Sequence, residues 1–178
     1  MHRNGLMSTM TTQTLEDTYK VYKETHEQDH SFFKGFSLII YLPEIAQLIR
    51  DSNIKTVIDY GCGKGYAWEH HKLKQALNLD TVILFDPGVE KYSTKPKVQA
   101  DLVVCIDVME HVPEHLVDEV LDDICNYSKK AVFFGISTRT SNKSLVDGTN
   151  AHATVKPEKW WRNKFAEYNH LIISHFSS

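Results

Sequence analysis

Residues 56–65, Thr-Val-Ile-Asp-Tyr-Gly-Cys-Gly-Lys-Gly, constrain this chain more than any other stretch. A short β-branched run ending in Asp59 leads into a turn that holds Gly61, Gly63 and Gly65, and a helical pattern follows from Tyr66. Strand, glycine turn and helix in that order form a cofactor-binding arrangement. Glycine takes positive φ readily and lets a ligand approach where a Cβ would stand in the way. The first turn of the following helix offers N–H groups that have no partner inside the helix. Two common ligands are excluded. A dinucleotide fingerprint reads G-x-G-x-x-G, whereas this turn reads G-x-G-x-G with an acid two residues before its first glycine. A carboxylate there repels a pyrophosphate and favours a cationic amino-acid head group, directly or through a water. The phosphate loop G-x-x-x-x-G-K-[ST] is absent too, because Lys64 is followed by Gly65.

In Asp59, Gly61, Gly63 and Gly65 the chain resembles the first motif, D/E-x-G-x-G-x-G, of the class I S-adenosylmethionine (SAM)-dependent methyltransferases. Cys62 stands inside the turn, where a small side chain is needed, and reads as packing rather than as a nucleophile. A second motif follows. The strand expected over 81–85 ends at Asp86-Pro87-Gly88, and an acid there is positioned to accept hydrogen bonds from both ribose hydroxyls. In dinucleotide folds the corresponding acid lies about 20 residues beyond the glycines, which is also the spacing here. The run from Asp101 to Pro113 resembles the family's fourth motif, whose loop faces both the methionine part of SAM and the methyl acceptor. The resemblance therefore implies a cofactor site built from Asp59, Gly61, Cys62, Gly63, Gly65, Asp86, Pro87, Asp107 and Val108. SAM would be the methyl donor and S-adenosylhomocysteine (SAH) the product.

The implied fold is α/β: a Rossmann-like class I methyltransferase sheet flanked by helices, with an N-terminal helical cap. A complete family core has seven strands, and this chain shows about five or six. Residues 1–13 read as a tail, 14–54 as the helical cap and 55–178 as the SAM-binding core of a single domain. Within the cap, helices are expected over 14–28 and 37–52, separated by an aromatic loop over 29–36. Leu15, Thr18, Tyr19, Tyr22 and His26 fall at helical spacing. That stripe is either a packing face or a lid in which Tyr19, Tyr22 or His26 reaches substrate. Strands are expected over 55–60, 81–85, 101–108, 131–137 and 170–176, and helices over 66–77, 114–127 and from Pro157. Only fourteen residues separate Asp86 from Asp101. The family's third strand is thus vestigial or missing, and the adenine contacts within 87–100 have no clear candidate. The polar loop 138–155 is long enough to suggest function.

Composition sets the outer bounds. The chain has 178 residues, 42% hydrophobic and 24% charged, and a net charge of −3. Such a balance matches an ordinary globular domain and carries no global basic field to draw in nucleic acid. Three cysteines without a CxxC pair argue against a disulfide framework or zinc knuckle. No stretch resembles a signal peptide, and no apolar run approaches the ~20 residues of a membrane span. The expected compartment is the cytoplasm.

Chemistry points to the loop after the fourth-motif strand. A hydroxyl or ammonium acceptor must lose a proton, and histidine suits that task near neutral pH. His111 follows Glu110 at the expected place, and His152 comes from the loop after the next strand. These three are the catalytic candidates. Two related groups use an acid-x-x-Glu-His arrangement here to hold a divalent cation: O-methyltransferases of ubiquinone biosynthesis, and enzymes that modify the terminal 2′-hydroxyl of small RNAs. Asp107, Glu110, His111 and His152 would form that set. The metal is not favoured, because Glu110 could instead cap the following helix and His111 line the pocket. DNA enzymes are excluded, since neither the Asp/Asn-Pro-Pro-aromatic tetrapeptide nor the Pro-Cys nucleophile is present. A small-molecule or modest-sized acceptor, methylated on oxygen or nitrogen, is the leading expectation. The alternatives are a metal-dependent RNA 2′-O-methyltransferase and a non-catalytic SAM or SAH sensor or partner subunit. The pair Trp160-Trp161 is either core or a stacking platform for a planar acceptor.

Overall fold

A computed structural model of the chain describes residues 13–28 and 32–178, so residues 1–12 of the expected tail and the first part of the aromatic loop fall outside the described residues. Helix α1 (Leu15–Gln28) opens the description. Thr14 and Asp17 cap its start reciprocally: the Asp17 N–H donates to Thr14 Oγ1 and the Thr14 N–H to Asp17 Oδ2, the capping-box exchange of orphan donors. A 3-10 turn (Ser37–Tyr41) runs straight into α2 (Leu42–Asp51), where Pro43 sits in the first turn and loses no intrahelical hydrogen bond.

The core is one sheet of five parallel strands in the order β2-β1-β3-β4-β5. They are β1 (Thr56–Tyr60), β2 (Thr81–Phe85), β3 (Ala100–Ile106), β4 (Ser128–Ser137) and β5 (Leu171–Ser177). Parallel strands covered on both faces read as continuous apolar runs, and β3 does so. Leu102 and Val104 pack toward α2 with Ile45, Ile49 and Trp68, while Val103 and Cys105 pack toward the opposite face with Leu121, Ile124 and Trp161. Helices α5 (Val117–Tyr127) and α6 (Glu158–Phe165) cover that second face. Among the described residues, no helix is long and apolar enough to cross a membrane.

One expectation changes and two open alternatives are decided. The helix expected over 66–77 is two short pieces, α3 (Tyr66–His70) and α4 (Leu73–Ala76), because Lys72 between them takes a left-handed φ of 49°. No third family strand exists between β2 and β3; a single 3-10 turn, Glu90–Tyr92, occupies the space and leaves β2 at the sheet edge. Trp161 is fully buried and Trp160 packs on it edge-to-face at 4.9 Å. Neither borders the cavity described below, so the pair is core.

Candidate functional site

The C-terminal ends of β1, β2 and β3 converge on one cavity of about 540 Å³, roofed by α1 and by the 138–155 loop. Such a volume suits a small-molecule ligand. The strand ends are its natural location in a parallel α/β sheet. Of the residues singled out from sequence, Asp59, Gly61, Cys62, Gly63, Asp86, Pro87, Asp107, Val108, Glu110, His111 and His152 all line it. Gly65 does not; it starts α3 with a φ of 68° and backs onto Leu84 and Tyr92.

The turn after β1 is locked in place by glycine chemistry. Gly61 has a φ of 80°, and a Cβ there would come within 2.2 Å of Val108 Cγ2. At Gly63, with φ 55°, a Cβ would meet the Phe33 carbonyl oxygen at 2.2 Å. That carbonyl accepts the Lys64 N–H at 3.0 Å, and Lys34 accepts the Tyr66 N–H at 3.1 Å. The first N–H of this helix, that of Tyr66, and the Lys64 N–H of the turn before it are therefore taken by the 33–34 segment. The contribution of Phe33 and Lys34 is through backbone oxygens, for which the sequence carries no side-chain signal.

Two carboxylates lie at the end of the cavity formed by β1 and β2. Asp59 is 5% exposed and accepts the Trp68 indole N–H at 2.6 Å. Burial raises its pKa to about 7, the indole hydrogen bond opposing and the nearby Asp86 charge adding to the rise. Asp86 accepts the Gly63 N–H on one oxygen at 2.8 Å and the Gly88 N–H on the other at 2.9 Å. Burial lifts it to about 6 despite those donors. Each oxygen keeps a further lone pair for a hydroxyl donor. Cys62 is buried beside them, and burial pushes its thiol far above the usual range, so it packs and does not attack.

The far end of the cavity is built on the loop after β3. Asp107, at a φ of 53°, ends the strand, and its N–H donates to the Gly135 carbonyl of β4. Glu110 is fully buried. Its Oε1 accepts the Ser137 N–H at 2.9 Å, while Oε2 has no partner. It does not cap α5, because its side chain turns inward to β4. Burial, reinforced by the Asp107 charge, raises Glu110 to about 8. His111 Nδ1 lies 2.5 Å from the Ala151 carbonyl oxygen, and His152 Nδ1 lies 2.6 Å from that of Arg139. A carbonyl only accepts, so both Nδ1 atoms carry hydrogen, and in the neutral ring Nε2 presents the lone pair. Burial holds His111 at about 4, leaving it a neutral base at physiological pH. Donor atoms of Glu110, His111 and His152 all fall within 4.8 Å of one another. Asp107 lies outside this group.

The cap closes over this end. The Tyr22 hydroxyl donates to the same Ala151 oxygen at 2.8 Å, and its ring meets that of His111 edge-on at 5.6 Å. Phe33 packs on His111 at 5.4 Å and His152 packs on it at 5.0 Å. Thr154 fastens the loop through its N–H to the Glu110 carbonyl and its hydroxyl to the Val112 carbonyl. Tyr19, Tyr22 and His26 of α1 all border the cavity.

Comparison with known proteins gives the same fold. Residues 37–178 match the family described as a methyltransferase domain. A solved structure titled "DhpI-SAH complex structure" superposes with a TM-score of 0.54 at 16% identity, covering 89% of this chain and 88% of that one. No curated protein matches this sequence.

Proposed function

Because the chain belongs to the methyltransferase-domain family, the class I SAM-dependent methyltransferases, we propose that it transfers a methyl group from SAM to a small-molecule or modest-sized acceptor bearing a hydroxyl or amine. One observation carries this reading: two buried carboxylates suited to a cationic, hydroxyl-rich ligand border the same cavity as a neutral histidine with a free Nε2 lone pair. Asp59 would face the ammonium of the methionine part, and Asp86 the ribose hydroxyls. When bound, SAM supplies a methyl group that is already electrophilic because it sits on a sulfonium. The rest is alignment and exclusion of water, which the α1 cap and the 138–155 loop favour. His111 Nε2 would accept the acceptor's proton, held in that tautomer by the Ala151 carbonyl.

The test separates binding from transfer. His111→Ala should leave the SAH dissociation constant within about threefold while lowering methyl transfer by about 10²–10⁴, the usual range for general base catalysis. Absence of SAH binding by the unaltered protein, or transfer undiminished in His111→Ala, would sink the assignment. The acceptor itself is to be sought by screening hydroxyl and amine metabolites alongside short RNAs, using methyl-labelled SAM.

A second reading rests on the three converging donors. Glu110 Oε2 has no partner, and His111 and His152 each commit Nδ1 to a backbone carbonyl. This is how metal-ligating histidines are commonly oriented. A divalent cation held there would lower the pKa of an acceptor hydroxyl, the chemistry of an RNA 2′-O-methyltransferase. Loss of transfer on chelation, restored by Mn²⁺ or Mg²⁺, would select this reading, and full activity in EDTA would remove it.

A further inference from the structure

The sheet contributes no strand beyond β2, and residues 87–99 hold only one 3-10 turn. Helix α1 lines the cavity through Thr18, Tyr19, Tyr22 and His26, and of these His26 reaches the turn at Gly88 beside Asp86. Most polar groups on this inner face are satisfied without a ligand. The hydroxyls of Thr18 and Thr25 donate to carbonyls one turn back, those of Thr14 and Val21. Tyr22 bonds Ala151, and Tyr19 bonds the Tyr60 hydroxyl.

His26 differs. It is 6% exposed, its ring packs on Phe33 at 5.1 Å, and its Nδ1 has no partner. A Cβ on Gly88 would lie 3.0 Å from His26 Cδ2, 3.4 Å from His26 Nε2 and 3.3 Å from Asp86 Oδ1. The imidazole and the Asp86 carboxylate thus flank one point beside the turn after β2. A ring needed only for packing would be served better by phenylalanine or leucine, because an unpartnered buried nitrogen destabilises the fold.

We infer that His26 is a nucleoside contact of the cofactor site, hydrogen-bonding the ribose or adenine beside Asp86, and that α1 supplies the wall that a missing third strand leaves open. The inference rests on the reading that this cavity binds SAM. Burial, with the Lys64 charge adding to it, holds His26 at about 4. The ring is therefore neutral at physiological pH, and the Nε2 on the edge it turns toward Gly88 and Asp86 donates or accepts according to tautomer, a match to hydroxyl and purine edges.

Calorimetric titration of SAH and of 5′-methylthioadenosine, which lacks the amino-acid moiety, tests it. In His26→Phe both ligands should bind about tenfold more weakly, the size of one lost hydrogen bond with its desolvation. The unliganded variant should melt no lower than the unaltered protein. Unchanged affinity for both ligands would overturn the inference, and so would a loss confined to SAH, which would put the contact on the amino-acid side. If His26→Phe does not fold, His26→Gln and His26→Leu decide the matter. Gln should retain affinity for both ligands and Leu should lose it; equal affinities would overturn the inference. Failure of the unaltered protein to bind SAH would instead strike the methyltransferase reading itself, and this inference with it.

Discussion

Lowering the pH from about 7.5 to 5.5 should weaken SAH binding about 100-fold through two buried carboxylates. Both have pKa values raised by burial, Asp59 to about 7 and Asp86 to about 6. Each is read as contacting the ligand in its ionised form, Asp59 the ammonium and Asp86 the ribose hydroxyls. The sign follows: affinity is present above each pKa and is lost as the pH falls through it. Over this interval, a carboxylate of pKa 7 reduces the competent fraction about 25-fold and one of pKa 6 about fourfold. If the two titrate independently, the product corresponds to about 2.7 kcal/mol. The ligand does not confuse the result, since its ammonium carries its charge throughout this interval and takes up no further proton. The assay is titration calorimetry with SAH at half-unit steps in buffers of differing ionisation heat, which also counts the protons released on binding. Asp59→Asn should remove the larger step and leave a shallow fourfold decline near pH 6. A flat affinity profile, or an Asp59→Asn profile as steep as the unaltered one, would refute the assignment of these carboxylates to the cofactor.

Asp59→Asn should also raise the melting temperature of the unliganded protein at pH 8. A carboxyl raised to about 7 when folded favours folding only while it can hold its proton, so stability declines as the pH rises from about 4 to 7. The amide escapes that decline and can still accept the Trp68 N–H. Equal melting temperatures at pH 8 would show that Asp59 is ionised at little cost. Gly61→Ala should lower stability by at least about 2 kcal/mol in a denaturant titration, because it combines a φ of 80° with a 2.2 Å contact on Val108; a loss of a few tenths would mean that the β3 loop yields easily. Trp161→Ala should cost about 3–5 kcal/mol while leaving the SAH dissociation constant of the folded fraction unchanged. A selective loss of ligand binding there would reopen the reading of the tryptophan pair as a platform.

What could be read from sequence follows from where information is carried by side chains. The cofactor end is a matter of strand ends. Asp59 and Asp86 each close an apolar run, and the glycines between β1 and α3 are required by positive φ, so residue type and position point to the same place. The opposite end was legible only in Glu110, His111 and His152. What orients them is backbone: the Ala151 and Arg139 carbonyls and the Ser137 N–H. Any residue offers those groups, and no pattern marks them. The break between α3 and α4 was hidden for a related reason. Tyr66, His70, Leu73 and Leu77 keep helical spacing across it, and the left-handed Lys72 that interrupts them leaves no trace in hydrophobic periodicity.

The cap shows how such hidden contacts join the two ends. Tyr22 and His26 are one helical turn apart and therefore share a face of α1. Tyr22 reaches the Ala151 oxygen that also fixes the His111 tautomer, while His26 lies against Gly88 beside Asp86. Among the described residues, no broad aliphatic interface holds this face: its buried residues are Thr18, Thr25 and His26, and Leu15 packs against the core at the start of the helix. A helix attached through a few hydrogen bonds and ring contacts can be displaced at modest cost, and displacing it removes both contacts together. On the proposed function, a ligand that binds at the Asp86 end and holds His26 in place should also hold Tyr22 on Ala151, so His26→Phe should lower methyl transfer as well as SAH affinity.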